Sequence, residues 1–497
     1  MIDHLIVLPV IIPLFAAALC LIFRQKTQAQ RWIFLIAIVS SLGFSGSLLY
    51  QTIQQNIIVS QMGSVPAPFG ISFVADKFSA LLSTTAALIY LVVFIFTLKT
   101  IDPKQEKAGF YPLMLFMLMG INGAFLTGDI FNLYVWYEII LISSFVLIAL
   151  GDRKNQLEGA LKYALINFLA SGLLLMGIGI VYAATGSLNM ARVAQIFAQS
   201  GEQSLAAISA SFFIISFGIK SALFPLYFWL PASYHSPPTP IIAIIAGTLT
   251  KVGLYSLIRF FTLIYYPFHE IFSLLFLCLS GATMLVGAIG SVAHQDLRKI
   301  LSYQIIAHMG YMLMGIGIFT TSGLSGTAYY LIQDMIVISG LFVAIGLIGK
   351  MGGSFLLYEM KGGLMNRSSL LSMIFLIPAL SLSGIPPLSG FWGKLLLIKA
   401  SIATHAYWIV FVALLAVALT LYVMMKIWIK AFWGKYEAPE TQTEGNNPGL
   451  SGWISSGIFG AIILLLSLYP EPLVNLSLQI GEQLTNPEIY INNVLNP

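Results

Sequence analysis

Apolar stretches about as long as a lipid bilayer is thick recur along the whole of this 497-residue chain. Hydrophobic residues make up 58% of the sequence and charged residues only 9%, whereas charged residues are about a quarter of a typical soluble domain. Because unpaired backbone groups are costly in lipid, such a chain crosses the membrane as helices and not as an open sheet. The sequence therefore predicts an all-α, polytopic membrane protein built as one continuous bundle.

Apolar runs of about twenty residues mark the predicted membrane spans. We predict fourteen spans, at residues 4–23, 32–50, 77–98, 109–127, 130–150, 160–184, 205–229, 240–264, 270–291, 302–320, 326–349, 369–400, 406–432 and 452–469. No basic residue precedes the first run, so we expect a retained anchor helix there rather than a cleaved signal peptide. The sequence shows no phosphate loop, zinc spacing or haem motif, and we expect no cofactor and no metal.

The lysines and arginines between the spans predict the orientation of the chain. Basic residues such as Arg24, Arg153 and Arg298 follow odd-numbered spans, whereas the even-numbered connections have few, with Lys77 and Arg192 as the main exceptions. Since basic loops stay in the cytoplasm, we expect both termini on the outside. The net charge of +5 then belongs to cytoplasmic loops and does not support nucleic-acid binding.

Two proline-rich segments predict helices that are broken inside the membrane. One runs from Lys220 to Pro231 in span 7, and the other from Ser381 to Lys394 in span 12. The breaks are five spans apart, and an odd offset reverses the orientation. Spans 4–8 and 9–13 are therefore predicted to form an inverted repeat of five helices each, with broken helices 7 and 12. Paired interrupted helices indicate a transporter site, although ordinary proline kinks are the alternative.

These repeats divide the single bundle 1–497 into four predicted parts. The division is N-terminal helices 1–3 in 1–108, the first repeat in 109–264, the second repeat in 270–432, and helix 14 with the tail in 433–497.

Four charged residues lie deep inside apolar runs: Glu138, Lys220, Lys251 and Lys394. Lys220, for example, is about 21 Å along a helix that starts near Leu205. A charge at such depth costs at least a few kcal/mol and by default indicates an ion or proton path. We predict that Glu138 and Lys220 form a pair that opens and closes, with Lys251 as the relay. The alternative is a static buried ion pair, but three lysines for one clear glutamate leave at least two lysines unpaired.

Three further polar residues in the spans are weaker candidates. His308 is either a proton relay or a hydrogen-bonded packing residue. Asp334 in span 11 is a candidate partner of Lys394 or of His308. Arg259, near the end of span 8, is expected to snorkel toward the membrane surface.

Five segments in spans 5 to 12 carry a resemblance to a known family. They are Trp136–Glu138, Lys220–Pro231 leading into Pro237–Pro240, Ala246–Arg259, Asp296–Tyr311 and Gly384–Lys394. In this order they resemble the proton-translocating, antiporter-like membrane subunits shared by respiratory complex I and the multisubunit Mrp-type cation/proton antiporters. In detail the chain looks most like the Mrp branch.

The resemblance implies a function for the buried charges. It implies a central hydrophilic axis in which Glu138 and Lys220 are the essential pair, Lys251 is the central relay and Lys394 is the exit lysine. It also implies a bacterial cell (inner) membrane location, other Mrp-type subunits as partners, and exchange of protons for Na⁺, Li⁺ or K⁺. Relatives often carry histidine and lysine in span 11, where this chain has Gln333 and Asp334. The alternatives are a subunit of a redox-driven complex I or membrane-bound hydrogenase, and a membrane scaffold that moves no ion.

Overall fold

The computed structural model describes residues 3–151, 153–200, 203–360, 362–434 and 449–496. Residues 435–448, which belong to the predicted C-terminal part 433–497, lie outside the described residues.

Helices make up nearly all of the described structure. In chain order they are α1 (Leu8–Ile22), α2 (Thr27–Gln55), α3 (Lys77–Thr97), α4 (Pro103–Lys107), α5 (Phe110–Leu126), α6 (Ile130–Ala149), α7 (Lys154–Thr185), α8 (Met190–Ser200), α9 (Gln203–Lys220), α10 (Trp229–Ser233), α11 (Thr239–Arg259), α12 (His269–Ala293), α13 (Leu297–Ile318), α14 (Thr321–Gly352), α15 (Leu364–Arg367), α16 (Ser369–Ser383), α17 (Ser389–Ala403), α18 (Tyr407–Phe432), α19 (Gly449–Leu468), α20 (Glu471–Thr485) and α21 (Pro487–Leu495).

Eleven helices in the described part of the chain are long and apolar enough to cross a membrane. Three shorter apolar helices accompany them, at Phe110–Leu126, Ser204–Lys220 and Ser369–Ser383. The chain is thus a multi-pass helical membrane protein, as the sequence predicts. The count of fourteen crossings, the inverted repeat, the four-part division and the orientation of the termini stay predictions.

Three helices occupy the centre of the bundle. The most apolar stretches of α11 and α14 are completely buried and that of α13 is 94% buried, whereas only a third of the corresponding stretches of α18 and α19 is buried. Apolar side chains at the rim are available to face lipid, while α11, α13 and α14 face other helices. Polar residues on these three helices are therefore shielded from lipid.

Two helices are interrupted where the prolines predict it. The α-helix that begins at Gln203 ends at Lys220, and α10 starts only at Trp229. Likewise, α16 ends at Ser383 and α17 starts at Ser389. The peptide bonds before Pro225 and Pro387 are cis. In the first break the indole nitrogen of Trp229 donates to the Ile219 carbonyl at 2.9 Å. A side chain thus satisfies a carbonyl that has no partner within the helix at the end of α9.

A β-hairpin and three amphipathic helices were not predicted. Strands β1 (Ile57–Gln61) and β2 (Ser72–Asp76) pair antiparallel in the connection between α2 and α3. The argument against sheet holds only for unpaired edges in hydrocarbon, so it does not exclude a hairpin in a connection. The helices α8, α20 and α21 have one buried and one exposed face and are too polar to have been recognised as spans.

Candidate functional site

A chain of buried polar side chains joins the three central helices. The Lys251 ammonium of α11 lies 2.9 Å from Asp334 Oδ2 of α14, and it also donates to the Ala246 carbonyl at 2.9 Å. The other carboxylate oxygen, Oδ1, lies 2.9 Å from His308 Nδ1 of α13. Lys251, Asp334 and His308 are 0% exposed. A positive, a negative and a titratable group are therefore held in contact without access to bulk water.

His308 is oriented by its neighbours. A carboxylate only accepts hydrogen bonds, so Nδ1 carries the hydrogen and donates to Asp334. The hydroxyl of Tyr330 lies 2.8 Å from the same nitrogen. Nε2 has no hydrogen-bond partner among the described residues. Because buried polar atoms are normally paired, this free nitrogen is available to accept a proton from a group or a water that approaches it.

Lys220 sits at the first helix break. Its ammonium lies 3.3 Å from Ser171 Oγ and 4.5 Å from the centre of the Tyr137 ring. It is the last residue of α9, where the helix dipole favours a positive charge. A Cβ on Gly253 of α11 would lie 2.5 Å from Ser221 Oγ, so glycine lets the two helices approach at this point.

A cavity of about 20 Å³ lies beside Lys220. It is lined by Tyr137, Ile140, Leu141, Tyr163, Asn167, Lys220, Trp229 and Leu249. This volume is enough for one water, and the ammonium and the Asn167 amide are polar partners for it.

Glu138 does not contact Lys220. It lies on the face of α6 that also bears the exposed residues Phe131, Val135 and Ile142. Its Oε1 is buried and has no hydrogen-bond partner in the described part of the chain. The predicted pair is therefore separated in this structure, which is one of the two states that the sequence suggests.

Lys394 sits at the second helix break. Its ammonium donates to the Leu382 carbonyl at 2.8 Å and lies 4.9 Å and 5.8 Å from the ring centres of Tyr311 and Tyr330. Gly384 has φ +80°, and a Cβ there would lie 2.8 Å from Lys394 Cδ. The break thus provides both a free carbonyl and the space for the lysine.

The structure confirms one expected contact of the secondary candidates, that of Asp334 with His308, and corrects the expectation for Arg259. Asp334 contacts His308, as one alternative held, but it pairs with Lys251 and not with Lys394, because α11 packs against α14 opposite this carboxylate. Arg259 does not snorkel. It is 5% exposed and pairs with the buried Asp76, since the end of α11 is enclosed by other helices and offers the guanidinium no route to the surface.

Sequence reasoning missed the tyrosines that surround the axis. Tyr330 lies four residues before Asp334 and so shares its face of α14, which is a signal that was available. Tyr137 and Tyr311 reach Lys220 and Lys394 from other helices, and nothing in the sequence indicates those contacts.

A polar cavity of about 400 Å³ opens at the start of α11. Its lining includes Arg153, Arg298 and Lys350, which are residues that the charge pattern assigns to the cytoplasmic side. His235 precedes the lining residue Ser236, and burial lowers the pKa of His235, with a contribution from the Lys299 charge. Water can therefore approach the membrane-embedded helices from this side.

The comparisons with known proteins all indicate one family. The family model described as NADH:quinone oxidoreductase/Mrp antiporter, TM, matches residues 127–420. The D subunit of the Na⁺/H⁺ antiporter of Alkalihalophilus pseudofirmus is 41% identical over 493 residues, and that of Bacillus subtilis is 39% identical over 495 residues, with 99% of each chain covered in both cases. A chain in the structure of the Mrp complex from Dietzia sp. DQ12-45-1b is 27% identical and superposes with a TM-score of 0.91, with both chains covered completely.

Proposed function

Because the chain belongs to the family of membrane subunits shared by NADH:quinone oxidoreductases and Mrp antiporters, we propose that it is the proton-translocating, D-type component of a multisubunit Na⁺/H⁺ antiporter. It assembles with other Mrp-type subunits in the bacterial cell (inner) membrane. Protons move along the axis Glu138, Lys220, Lys251 and Lys394, with Asp334 and His308 between the last two lysines. Exchange for Na⁺ takes place in the assembled complex.

The observation that carries this proposal is the contact chain Lys251–Asp334–His308 at the centre of the bundle. Groups with Nζ, Oδ and Nδ1 atoms 2.9 Å apart are within the range of direct proton transfer. The free Nε2 of His308 supplies an acceptor on the far side of the imidazole. Proton arrival at Nε2 and release from Nδ1 to Asp334 would move one proton through the ring toward Lys251, and the reverse sequence, from Asp334 to Nδ1 with release from Nε2, would move one toward Lys394 without moving the side chain.

Lys220 and Lys394 are the proposed ends of this chain. Each sits at a helix break, and irregular backbone inside a membrane is tolerated where it borders protein or water. Each ammonium is held by neutral groups, a hydroxyl or a carbonyl together with tyrosine rings. Such groups stabilise the ammonium without fixing it as a carboxylate would. Waters are required between Lys220 and Lys251 and between His308 and Lys394.

A purely structural role explains the buried cluster of Lys251, Asp334 and His308 less well. A buried ion pair stabilises little once the loss of hydration is counted, and apolar residues of the same volume often serve as well.

The test is cation-dependent proton flux in vesicles that contain the whole complex, with Glu138→Gln. We expect exchange to fall to background although the complex assembles. Glu158→Gln is the matched control, because Glu158 is exposed and pairs with Lys162 one turn away on α7. Near-normal flux in assembled Glu138→Gln complexes would refute the proposed proton path along this axis.

The subunit composition of the complex distinguishes an antiporter from the alternative, a redox-driven pump. Affinity purification through this chain should recover small antiporter subunits without iron–sulfur proteins. Co-purification of iron–sulfur subunits would instead favour a redox-driven pump.

A further inference from the structure

Beyond the axis itself, we infer that Arg259 and Asp76 form an electrostatic seal, which closes the end of α11 that the charge pattern assigns to the outside and prevents protons from escaping there. The inference rests on the proposed function, because it concerns protons that reach Lys251. It assigns a role to a buried ion pair at this helix end that the proton path does not use.

Two polar side chains of α11 stand between Lys251 and this end of the helix, although the Lys251 ammonium itself donates to the Ala246 carbonyl on the opposite side. Tyr255 and Arg259 follow Lys251 at intervals of four residues on the same buried helix, so Arg259 is about 12 Å farther along. The Tyr255 hydroxyl donates to the Phe125 carbonyl at 2.7 Å. Arg259 Nε and Nη2 each lie 3.3 Å from that hydroxyl. Water between Lys251 and Tyr255 would join these groups to the proton path and extend it toward the outside, so the proposed function requires a barrier at this end.

Arg259 is held rigidly at this end of α11. Its Nη2 pairs with Asp76 Oδ2, and its guanidinium carbon lies 5.4 Å and 5.1 Å from the ring centres of Tyr255 and Tyr490. The other carboxylate oxygen of Asp76 accepts from the Ser79 amide at 2.8 Å, which caps α3. The cation is therefore fixed from three sides by α3, α11 and α21.

A guanidinium in this position blocks protons for two reasons. It does not release its proton in proteins, so it cannot act as a relay. Its positive charge also lies 3.3 Å from the Tyr255 hydroxyl, which Asp76 does not contact, so a net repulsion of an excess proton at Tyr255 remains where water is excluded. The same pair explains why an arginine stands on the predicted outer side, since its charge is balanced locally by Asp76.

The competing explanation is an anchor that ties α3 and α21 to α11. If the pair is an anchor, replacing either partner should have the same effect. If it is a seal, the effect should depend on whether the positive or the negative charge remains after the substitution. Arg259→Gln leaves a buried carboxylate that can take up a proton next to Tyr255. Asp76→Asn leaves the blocking cation in place.

The experiment measures passive proton leak in proteoliposomes that contain the whole complex, with a pH gradient and a trapped pH dye, in the absence of exchangeable Na⁺ or other cation substrate. We expect Arg259→Gln to raise the leak roughly tenfold over wild type, and Asp76→Asn to leave it at the wild-type level. An assembled Arg259→Gln complex with wild-type leak, or equal leak in both single variants, would overturn the seal.

Two further variants keep the test decisive if Arg259→Gln fails to assemble. The double variant Asp76→Asn/Arg259→Gln has no unpaired charge, and Arg259→Lys keeps a cation that can release its proton. Both should leak more than wild type, and wild-type leak in both would overturn the seal. The leak is measured without exchange, so its outcome is independent of the Glu138→Gln test of antiport.

Discussion

Asp334 is the one carboxylate, within the residues that the structure describes, that contacts a lysine of the buried axis. Its two oxygens lie 2.9 Å from Lys251 Nζ and 2.9 Å from His308 Nδ1. Asp334→Asn keeps the shape and one acceptor, but it removes the negative charge and can place an amide donor opposite the ammonium. We expect the complex to assemble and its cation/proton exchange to be lost.

The size of the effect follows from the geometry. Two unit charges 2.9 Å apart attract each other by about 6 kcal/mol at an effective dielectric constant of about 20. Removal of one partner of a buried pair typically costs about 3–5 kcal/mol. If about 3 kcal/mol of this falls on the charged state of Lys251 that the relay requires, transfer slows by roughly a hundredfold. Exchange would then be undetectable beside background leak.

The assay is Na⁺-dependent pH change in vesicles that hold the complex, normalised to the amount of assembled complex in the membrane. Asp296→Asn is a matched control. Asp296 also pairs with a basic residue, Arg298, but at a partly exposed position at the start of α13. Asparagine is as good an N-cap as aspartate, so we expect Asp296→Asn to retain near-normal exchange.

A second variant separates transport from stability. Lys251→Met/Asp334→Leu replaces the pair by apolar side chains of similar volume, which often restores stability. We expect this double variant to assemble as well as wild type and to be inactive. Exchange near the wild-type rate in the double variant, or in assembled Asp334→Asn, would refute the reasoning.

Three further outcomes are expected at the helix breaks. Lys220→Ala should abolish exchange in assembled complexes, and retained exchange would contradict the pairing of Lys220 with Glu138. Lys394→Ala should cut turnover severely and Lys394→Arg should stay impaired, since a guanidinium does not release its proton; full activity in Lys394→Arg would mean that only a fixed positive charge is needed. Gly384→Ala should slow exchange several-fold, because a Cβ would lie 2.8 Å from Lys394 Cδ in a backbone with φ +80°, where an L residue costs roughly 1–2 kcal/mol. Gly434→Ala is the control for backbone strain alone, because Gly434 has φ +103° and open space around it, and equal loss in both variants would contradict crowding at Lys394.

The features that the sequence predicts correctly depend only on the order of residues along the chain and not on which helices pack together. Proline removes a backbone donor wherever it stands, so the breaks near Pro225 and Pro387 follow from the sequence. The depth of Lys220, Lys251 and Lys394 follows from the rise per residue of a helix. The structure shows all three lysines buried within the protein, and their depth in the bilayer stays a prediction.

The features that it misses depend on which helices pack together. The sequence offers Lys394 or His308 as partners of Asp334, and the contact with Lys251 arises only because α11 lies against α14. The place of Arg259 near a helix end predicts snorkelling, whereas Asp76 reaches it from a capping position 183 residues away. Long-range contacts of this kind have no local signal in a single sequence.

The distribution of partners along the axis argues for different roles at its centre and its ends. Lys251 has a carboxylate at 2.9 Å, so loss of its proton would leave Asp334 with an uncompensated charge. Lys394 has a carbonyl at 2.8 Å and two tyrosine rings, and a neutral amine still donates to a carbonyl. Protonation can therefore change at Lys394 without breaking its hydrogen bond. This difference favours proton loading and release at the helix breaks, with the Lys251–Asp334 pair as the element that must reorganise for a proton to pass between them.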